Sequence, residues 1–130
     1  MVVPQYYIRG IFIISILVNS LIMGILSFNE RNIYKFLSVT LFGIVGVGYW
    51  SQDTPSRFRN ILCNIDKGNC YMCLAIYGYY FDYLIQYILF ALAGICYVLE
   101  FIITQNWVIY HIAVHLLGFA ACISTFHYIL

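Results

Sequence analysis

The stretch DYLIQYILFALAGICYVLEFIITQNWVIYHIAVHLLGFAAC, from Asp82 to Cys122, decides the fold of this chain. It consists of two apolar runs separated by the polar residues Thr104, Gln105 and Asn106. Each run approaches the roughly 20 residues that a helix needs to cross the hydrocarbon core of a bilayer. We therefore predict two membrane-crossing helices that fold back on each other at this turn.

Polar and small side chains recur on one face of each predicted helix, at steps of three, four or seven residues. They are Asp82, Gln86, Ala93, Tyr97 and Glu100 on the first helix, and His111, His115, Gly118, Cys122 and Thr125 on the second. A charged or imidazole side chain at membrane depth is costly unless it faces protein, water or a partner. The stripe is thus either a functional site or a helix–helix seam, where small and polar residues are also common. We favour the seam. If the stripe does bind a cofactor, the candidate residues are His111, His115, Tyr97 and Glu100.

The turn also determines which residues of the two helices are level with each other. If it is centred near Gln105, Glu100 lies five residues before it and His111 six residues after it. In an antiparallel pair these side chains come about one and a half turns from the membrane surface. A carboxylate beside an imidazole lowers the cost of holding both away from bulk water. We therefore predict that Glu100 and His111 are neighbours.

The composition is that of an integral membrane protein. The residues are 64% hydrophobic and 8% charged, and the mean hydropathy is +0.90, far from the balance of a water-soluble domain. The 130 residues leave room for about four helices with short loops and no soluble domain. We predict a single all-α domain with four transmembrane helices, at about residues 7–28, 33–50, 71–104 and 107–130.

The distribution of charge excludes one class of partner and indicates a topology. The net charge is +1 and neither Lys nor Arg follows Lys67, so the chain lacks the basic surface that nucleic-acid binding requires. The basic residues are Arg9, Arg57, Arg59 and Lys67 on one side of the predicted membrane, and Arg31 and Lys35 on the other. This excess predicts that both termini lie on the cytoplasmic or matrix side. Near the start of the second helix, Lys35 can extend its flexible side chain to the headgroups.

The second predicted helix is thin at its centre because the stretch GIVGVG (43–48) places three glycines there. These glycines either admit a close helix or leave room for a lipid or prosthetic group. They are not a phosphate loop, which needs a strand before it and a helix after it. If Gly43 and Gly46 face a neighbouring helix, leucine at either position should block assembly, whereas alanine should be tolerated. On the first helix, Ser20 and Gly24 form a small-xxx-small pair that would also admit a neighbour.

Three cysteines lie in or just after the polar segment 51–69, which we expect to be a loop. Cys63, Cys70 and Cys73 could be a redox pair, a set of disulfide partners or, completed by His127, the ligands of a zinc ion. Their spacing matches no zinc module, and free cysteine is an ordinary small apolar residue. We therefore predict free thiols and no bound metal.

The apolar segment that follows, about 34 residues from Cys70 to Thr104, is too long for one perpendicular crossing. As a single helix it would measure about 50 Å, against a hydrocarbon core of about 30 Å. Either residues 70–81 lie along the membrane surface, where their tyrosines are stable, or the helix projects beyond the bilayer. Both alternatives bring Asp82 close to the headgroups.

The stretch NWVIYHIAVH, residues 106–115, resembles the last helix of a superfamily of seven-helix membrane hydrolases. That superfamily includes alkaline ceramidases, adiponectin receptors and myomaker-like proteins, and two such histidines serve a zinc site in it. Asp82, after YGYY, could correspond to the family's acidic residue. The resemblance implies metal-assisted lipid hydrolysis with His111, His115 and Asp82 as the polar core.

A third class of function is redox chemistry, because histidines of membrane helices also ligate haem b and small helical bundles anchor quinone-reacting enzymes. His111 and His115 share one helix face, so haem would need a ligand from a partner subunit. The sequence contains no complete catalytic motif. We predict a non-catalytic accessory subunit, without a cofactor of its own, that packs against lipids and other subunits. Its size and composition favour a respiratory-chain or ATP-synthase complex of the mitochondrial inner membrane.

Overall fold

The computed structural model describes residues 5–52 and 54–126, with side chains from residue 7 onward. Within these ranges the chain forms five α-helices and one short 3₁₀ turn, and no strand. They are α1 (Gln5–Asn29), α2 (Ile33–Trp50), α3 (Arg57–Tyr79), α4 (Leu84–Ile102), the 3₁₀ turn (Thr104–Asn106) and α5 (Trp107–Ile123). The prediction of an all-α fold is confirmed.

Four of these helices are long and apolar enough to cross a membrane: α1, α2, α4, and α5 with the 3₁₀ turn before it. α2 begins and ends where the sequence predicted, and α1 is slightly longer than the predicted 7–28. The fifth helix, α3, is less apolar because it carries four charged residues. They are Arg57, Arg59, Asp66 and Lys67.

The continuous helix expected over 71–104 is replaced by α3 and α4, with a break at residues 80–83. The loop expected over 51–69 is correspondingly short. At the break, Tyr83 is extended (φ −114°, ψ 146°), and Gln86 Oε1 accepts hydrogen bonds from the backbone N–H groups of Asp82 and Tyr83, at 2.7 and 2.9 Å. Because a side chain satisfies these backbone donors, a new helix begins at Leu84.

α5 ends at Ile123, whereas the last helix was predicted to continue to residue 130. The Ser124 and Thr125 hydroxyls donate to the carbonyls of Ala121 and Cys122, at 2.6 and 2.7 Å. Short hydroxyl side chains that bond backbone carbonyls in this way compete with the hydrogen-bond ladder of the helix. Thr125, expected on the same helical face as His111, therefore lies in the turn after α5.

The helices belong to two compact units, the first ending at Ile76 and the second beginning at Tyr77. In the first unit, α1 and α2 form an antiparallel hairpin. Its core consists of Val39 on α2 and a stripe of large apolar side chains on one face of α1, which are Ile8, Phe12, Ile16 and Met23. The ring centroids of Phe12 and Trp50 lie 4.7 Å apart. This contact joins the two helices at the end of the hairpin opposite the turn.

The glycines of α2 allow α1 to come close. A Cβ atom at Gly43 would lie 2.6 Å from Ser20 Oγ, and one at Gly46 would lie 3.0 Å from Ile16 Cδ1. The thin centre of α2 is therefore filled by α1 of the same chain and is not left open for a lipid or prosthetic group. Gly24, which the sequence paired with Ser20, has no such neighbour, since a Cβ atom there would meet nothing within 4 Å.

The second unit is a hairpin of α4 and α5. Gln86 joins the two helices because its Nε2 donates to the carbonyl and hydroxyl oxygens of Ser124, at 3.2 and 3.1 Å. The residue is 2% exposed, and its amide oxygen also accepts the two hydrogen bonds at the start of α4. Beyond Ser124, the Phe126 ring packs edge-on against Tyr77, with centroids 5.8 Å apart. A single buried amide thus connects the start of α4 to the end of α5.

Gln86→Leu is expected to destabilise the second unit by about 1–3 kcal/mol, because it removes the four hydrogen bonds that this buried amide makes at the start of α4 and the end of α5. The measurement is SDS-induced unfolding in detergent, followed by circular dichroism. Gln105→Leu is the matched control, since Gln105 is exposed in the polar turn and its change should stay within about 0.5 kcal/mol. Equal unfolding midpoints for the two variants would contradict the role assigned to Gln86.

Candidate functional site

A carboxylate and an imidazole of the second unit meet near the turn between α4 and α5. Glu100 lies in the last turn of α4 and His111 in the second turn of α5. His111 Nδ1 lies 2.9 Å from Glu100 Oε1 and 3.0 Å from Oε2. With Glu100 ionised, Nδ1–H donates to the carboxylate, which has no hydrogen of its own. The prediction that these two side chains are neighbours is confirmed.

His115 extends this pair along α5. The imidazole centroids of His111 and His115 are 4.9 Å apart, and the indole of Trp107 lies 6.3 Å from His111 on the other side. Tyr97 packs edge-on against Phe101 of its own helix, with centroids 5.2 Å apart. The hairpin therefore brings three of the four candidate residues, Glu100, His111 and His115, into one row. The fourth, Tyr97, packs against its own helix α4.

The Glu100–His111 pair is shallow in the hairpin. Its side chains are 13% and 20% exposed, respectively, and the adjoining Thr104, Gln105 and Asn106 are all exposed. Glu100 is four residues from Thr104, which is about 6 Å along a helix. A carboxylate and an imidazole in direct contact can share or exchange a proton. Because Glu100 and His111 already bind each other, the pair is as well suited to stabilising the α4–α5 hairpin as to proton exchange.

Glu100→Gln and His111→Gln are each expected to destabilise the hairpin modestly, by about 0.5–1.5 kcal/mol, through loss of the charge-assisted hydrogen bond. The double variant should be no worse than the poorer single variant, because both single changes remove the same interaction. A double-mutant cycle of unfolding midpoints in detergent measures this. Gln105→Ala, in the exposed turn, is the control. Strict additivity of the Glu100 and His111 effects would show that the two side chains do not stabilise each other.

A second ion pair, which was not predicted from the sequence, lies at the turn between α1 and α2. Lys35 Nζ donates to Glu30 Oε2 at 3.1 Å, and the Lys35 side chain is 2% exposed. Arg31 has a left-handed backbone (φ 56°), and Asn32 Oδ1 caps α2 by accepting from the Lys35 N–H at 3.1 Å. This tight turn directs Lys35 against its own chain, so the expectation that it reaches the headgroups is wrong. The sequence signal that could have predicted this ion pair is an acidic and a basic residue on either side of one short turn.

The cysteines that could have formed a redox or metal site lie on α3. Cys63, Cys70 and Cys73 are free thiols. Cys63 is hydrogen-bonded to the Tyr49 side chain and Cys73 to the Ser38 side chain, both on α2. These two thiols therefore pack α3 against α2. His127, proposed as a fourth zinc ligand, lies outside the described residues.

The hydrolase resemblance requires Asp82 to join His111 and His115, but α4 separates them. Asp82 precedes α4 and is exposed, whereas Glu100, beside His111, lies near the other end, about 24 Å from Leu84 along the helix. Among the described residues, no group of three His, Cys, Asp or Glu side chains is placed to hold a metal ion. Comparison with protein families, curated proteins and solved structures gave no match to this chain.

Proposed function

We propose that this chain is a non-catalytic subunit of a larger membrane complex, inserted through its four apolar helices and covered by lipids and other subunits. The observation that carries the proposal is how little of the second unit its own hairpin buries. The buried residues are Gln86 and Ala93 in α4, and Ala121 and Cys122 in α5. The other residues of both helices are exposed or half-buried.

The uncovered surface of α4 includes an aliphatic face that extends along most of the helix. Its exposed residues include Ile85, Ile88, Leu92, Ile95 and Val98. Contiguous apolar surface of this kind is rare on proteins that stay in water, and is typical of surface that faces lipid or another protein. Because a hairpin of two helices cannot bury it, the cover comes from outside these two helices.

The polar side chains within the apolar helices support a structural role. Glu100 is paired with His111, and Glu30 with Lys35. Gln86 forms hydrogen bonds at the start of α4 and at the end of α5. Ionisable and amide groups that are satisfied within the chain lower the cost of placing them in a bilayer. A haem held by His111 and His115 alone is incompatible with this geometry, because both imidazoles lie on one face of α5 and cannot ligate an iron from opposite sides.

We further propose that the host is a respiratory-chain or ATP-synthase complex of the mitochondrial inner membrane. The support is compositional, since the chain is 64% hydrophobic and 8% charged and its helices present apolar surface for neighbours to cover. Immunodetection of the tagged protein in purified mitochondria, and its protection from added protease there, tests this location. Recovery of the protein in another membrane fraction would overturn the location and leave the subunit role standing.

The subunit role itself is tested by extraction and native electrophoresis. The tagged chain is expected to stay in the membrane pellet after alkaline carbonate treatment. In mild detergent it is expected to migrate with an assembly much larger than its own 15.1 kDa. Release by carbonate would overturn the membrane insertion. Migration as a small isolated species would overturn the subunit role.

A matched pair of variants shows whether the aliphatic face of α4 is the covered surface. Ile95 is exposed on α4 and Gln105 is exposed in the polar turn, so a lysine disturbs the packing of the hairpin at neither position. Ile95→Lys is expected to prevent insertion or assembly, since a charge at membrane depth costs about 2.5–3.5 kcal/mol or more. Gln105→Lys should assemble normally. Normal assembly of both variants would show that the α4 face is in contact with water.

A further inference from the structure

We infer that α3 crosses the bilayer beside α2 as a fifth membrane-spanning helix, although its composition does not mark it as one. The inference rests on the proposed insertion of α1 and α2. It is drawn entirely within the first unit, from the way α3 lies on α2. The consequence is that the two ends of α3 lie on opposite sides of the membrane.

The side of α3 that meets α2 is a regular stripe. Residues recur at steps of four and three, the spacing of one helix face. They are Arg59, Cys63, Asp66, Cys70 and Cys73, and each is half-buried or buried. Between them lie exposed residues such as Asn60, Asn64 and Lys67. One face of α3 is therefore packed against other parts of the first unit.

The contacts of this stripe follow α2 in reverse order. The Arg59 guanidinium carbon lies 5.4 Å from the centroid of the Tyr49 ring, near the end of α2. Asp66 Oδ1 lies 3.3 Å from the position of a Cβ atom at Gly46. Cys73 is hydrogen-bonded to Ser38. α3 thus runs antiparallel to α2 from its last turn to its second.

The lengths of the two helices agree with a full crossing. From Arg59 to Ile76, α3 extends about 26 Å, and α2 with its 18 residues extends about 27 Å. Ile76 follows Cys73 by three residues, and Lys35 precedes Ser38 by three, so Ile76 comes level with the first turn of α2. If α2 spans the hydrocarbon core, a helix that accompanies it over this distance spans it too.

The charged residues of α3 are compatible with this position. Asp66 belongs to the inner stripe, against Gly46. Lys67 is exposed, but it adjoins Asp66, whose partner Gly46 is four residues from Trp50, or about 6 Å from the end of α2. A lysine at that depth reaches the headgroups with its flexible side chain. The part that would lie deeper, residues 68–76, contains no charged residue.

The mean hydropathy of α3 does not indicate a membrane-spanning helix, because it averages the residues of both helix faces. The charged groups of α3 are divided between the inner stripe, which lies against α2, and the half nearest the membrane surface. A helix carried by neighbouring helices tolerates polar residues that a lone helix would not. An amphipathic helix lying on the membrane surface would touch only one end of α2, whereas α3 contacts α2 near both ends.

Labelling on the two sides of the membrane tests the inference. Thr54 lies before α3 and Asp82 after it, and both are exposed. Thr54→Cys and Asp82→Cys are introduced separately into the otherwise unchanged chain. Sealed membrane vesicles of one orientation are treated with an impermeant maleimide, and the labelled cysteine is identified by peptide mass spectrometry. Permeabilised vesicles give the full reactivity of each position, and Tyr83→Cys replaces Asp82→Cys if that variant does not accumulate.

The expected result is labelling of one position and loss of labelling at the other in sealed vesicles, with both reactive after permeabilisation. Equal behaviour of the two positions in a chain that resists carbonate extraction would overturn the crossing of α3 and leave the membrane insertion intact. Release of the chain by carbonate would instead overturn the insertion on which the inference rests. The two failures are therefore distinguishable.

Discussion

Glu30→Gln and Lys35→Met are each expected to destabilise the first unit by about 3–5 kcal/mol, because each leaves one member of a buried ion pair without its counter-charge. The two side chains are 10% and 2% exposed, and Nζ and Oε2 are 3.1 Å apart. Water therefore cannot replace the missing partner at low cost. SDS-induced unfolding in detergent, followed by circular dichroism, measures the loss.

The double variant separates the charge from the packing. Glu30→Gln combined with Lys35→Met removes both charges and preserves most of the side-chain volume, so we expect it to be far more stable than either single variant. Buried ion pairs are often replaced by uncharged residues with little loss of stability. Arg31→Gln is the matched control, because Arg31 is exposed in the same turn. Single variants as stable as this control would show that the Lys35 ammonium reaches water or headgroups.

Gly43→Leu is expected to prevent the α1–α2 hairpin from packing, with a loss of about 3 kcal/mol or more. A Cβ atom at Gly43 would lie 2.6 Å from Ser20 Oγ and 2.9 Å from Ser20 Cβ, so a larger side chain forces the helices apart. Gly43→Ala should also cost stability, by about 1 kcal/mol or more. The structure thus revises the earlier expectation that alanine is tolerated there. It also moves the effect from assembly with other subunits to the folding of this chain.

The partner of Gly43 provides a rescue experiment. Ser20→Gly removes both atoms that an alanine at position 43 would meet, so Gly43→Ala should cost much less when Ser20→Gly is already present. This coupling is read from a double-mutant cycle, in which Ser20→Gly alone supplies the cost of a glycine inside α1. Gly24→Ala is the control, since a Cβ atom there has nothing within 4 Å. Additive effects at positions 20 and 43 would contradict the close approach.

The sequence by itself determined the class of the fold and the elements that depend on local signals. Long apolar runs predicted α1, α2, α4 and α5, because a helix that satisfies its own backbone hydrogen bonds is the stable form of such a run in lipid. The polar turn at residues 104–106 also predicted the Glu100–His111 contact. In an antiparallel hairpin, the position of the turn sets which residues are level, so this pair depended on one local feature.

The tertiary structure alone decided the placement of α3, the break before α4 and the burial of Lys35. Polar and apolar residues alternate along the first half of α3, so the average hydropathy of residues 51–69 is typical of a loop. The helix is positioned by its contacts with Tyr49, Gly46 and Ser38 of α2. The break depends on Gln86, which satisfies the start of α4 and the end of α5 together. Lys35 is buried because the turn at Arg31 and Asn32 brings Glu30 to it. In each case a polar group obtains its partner from a distant residue or through a particular turn, and composition and periodicity do not encode that pairing.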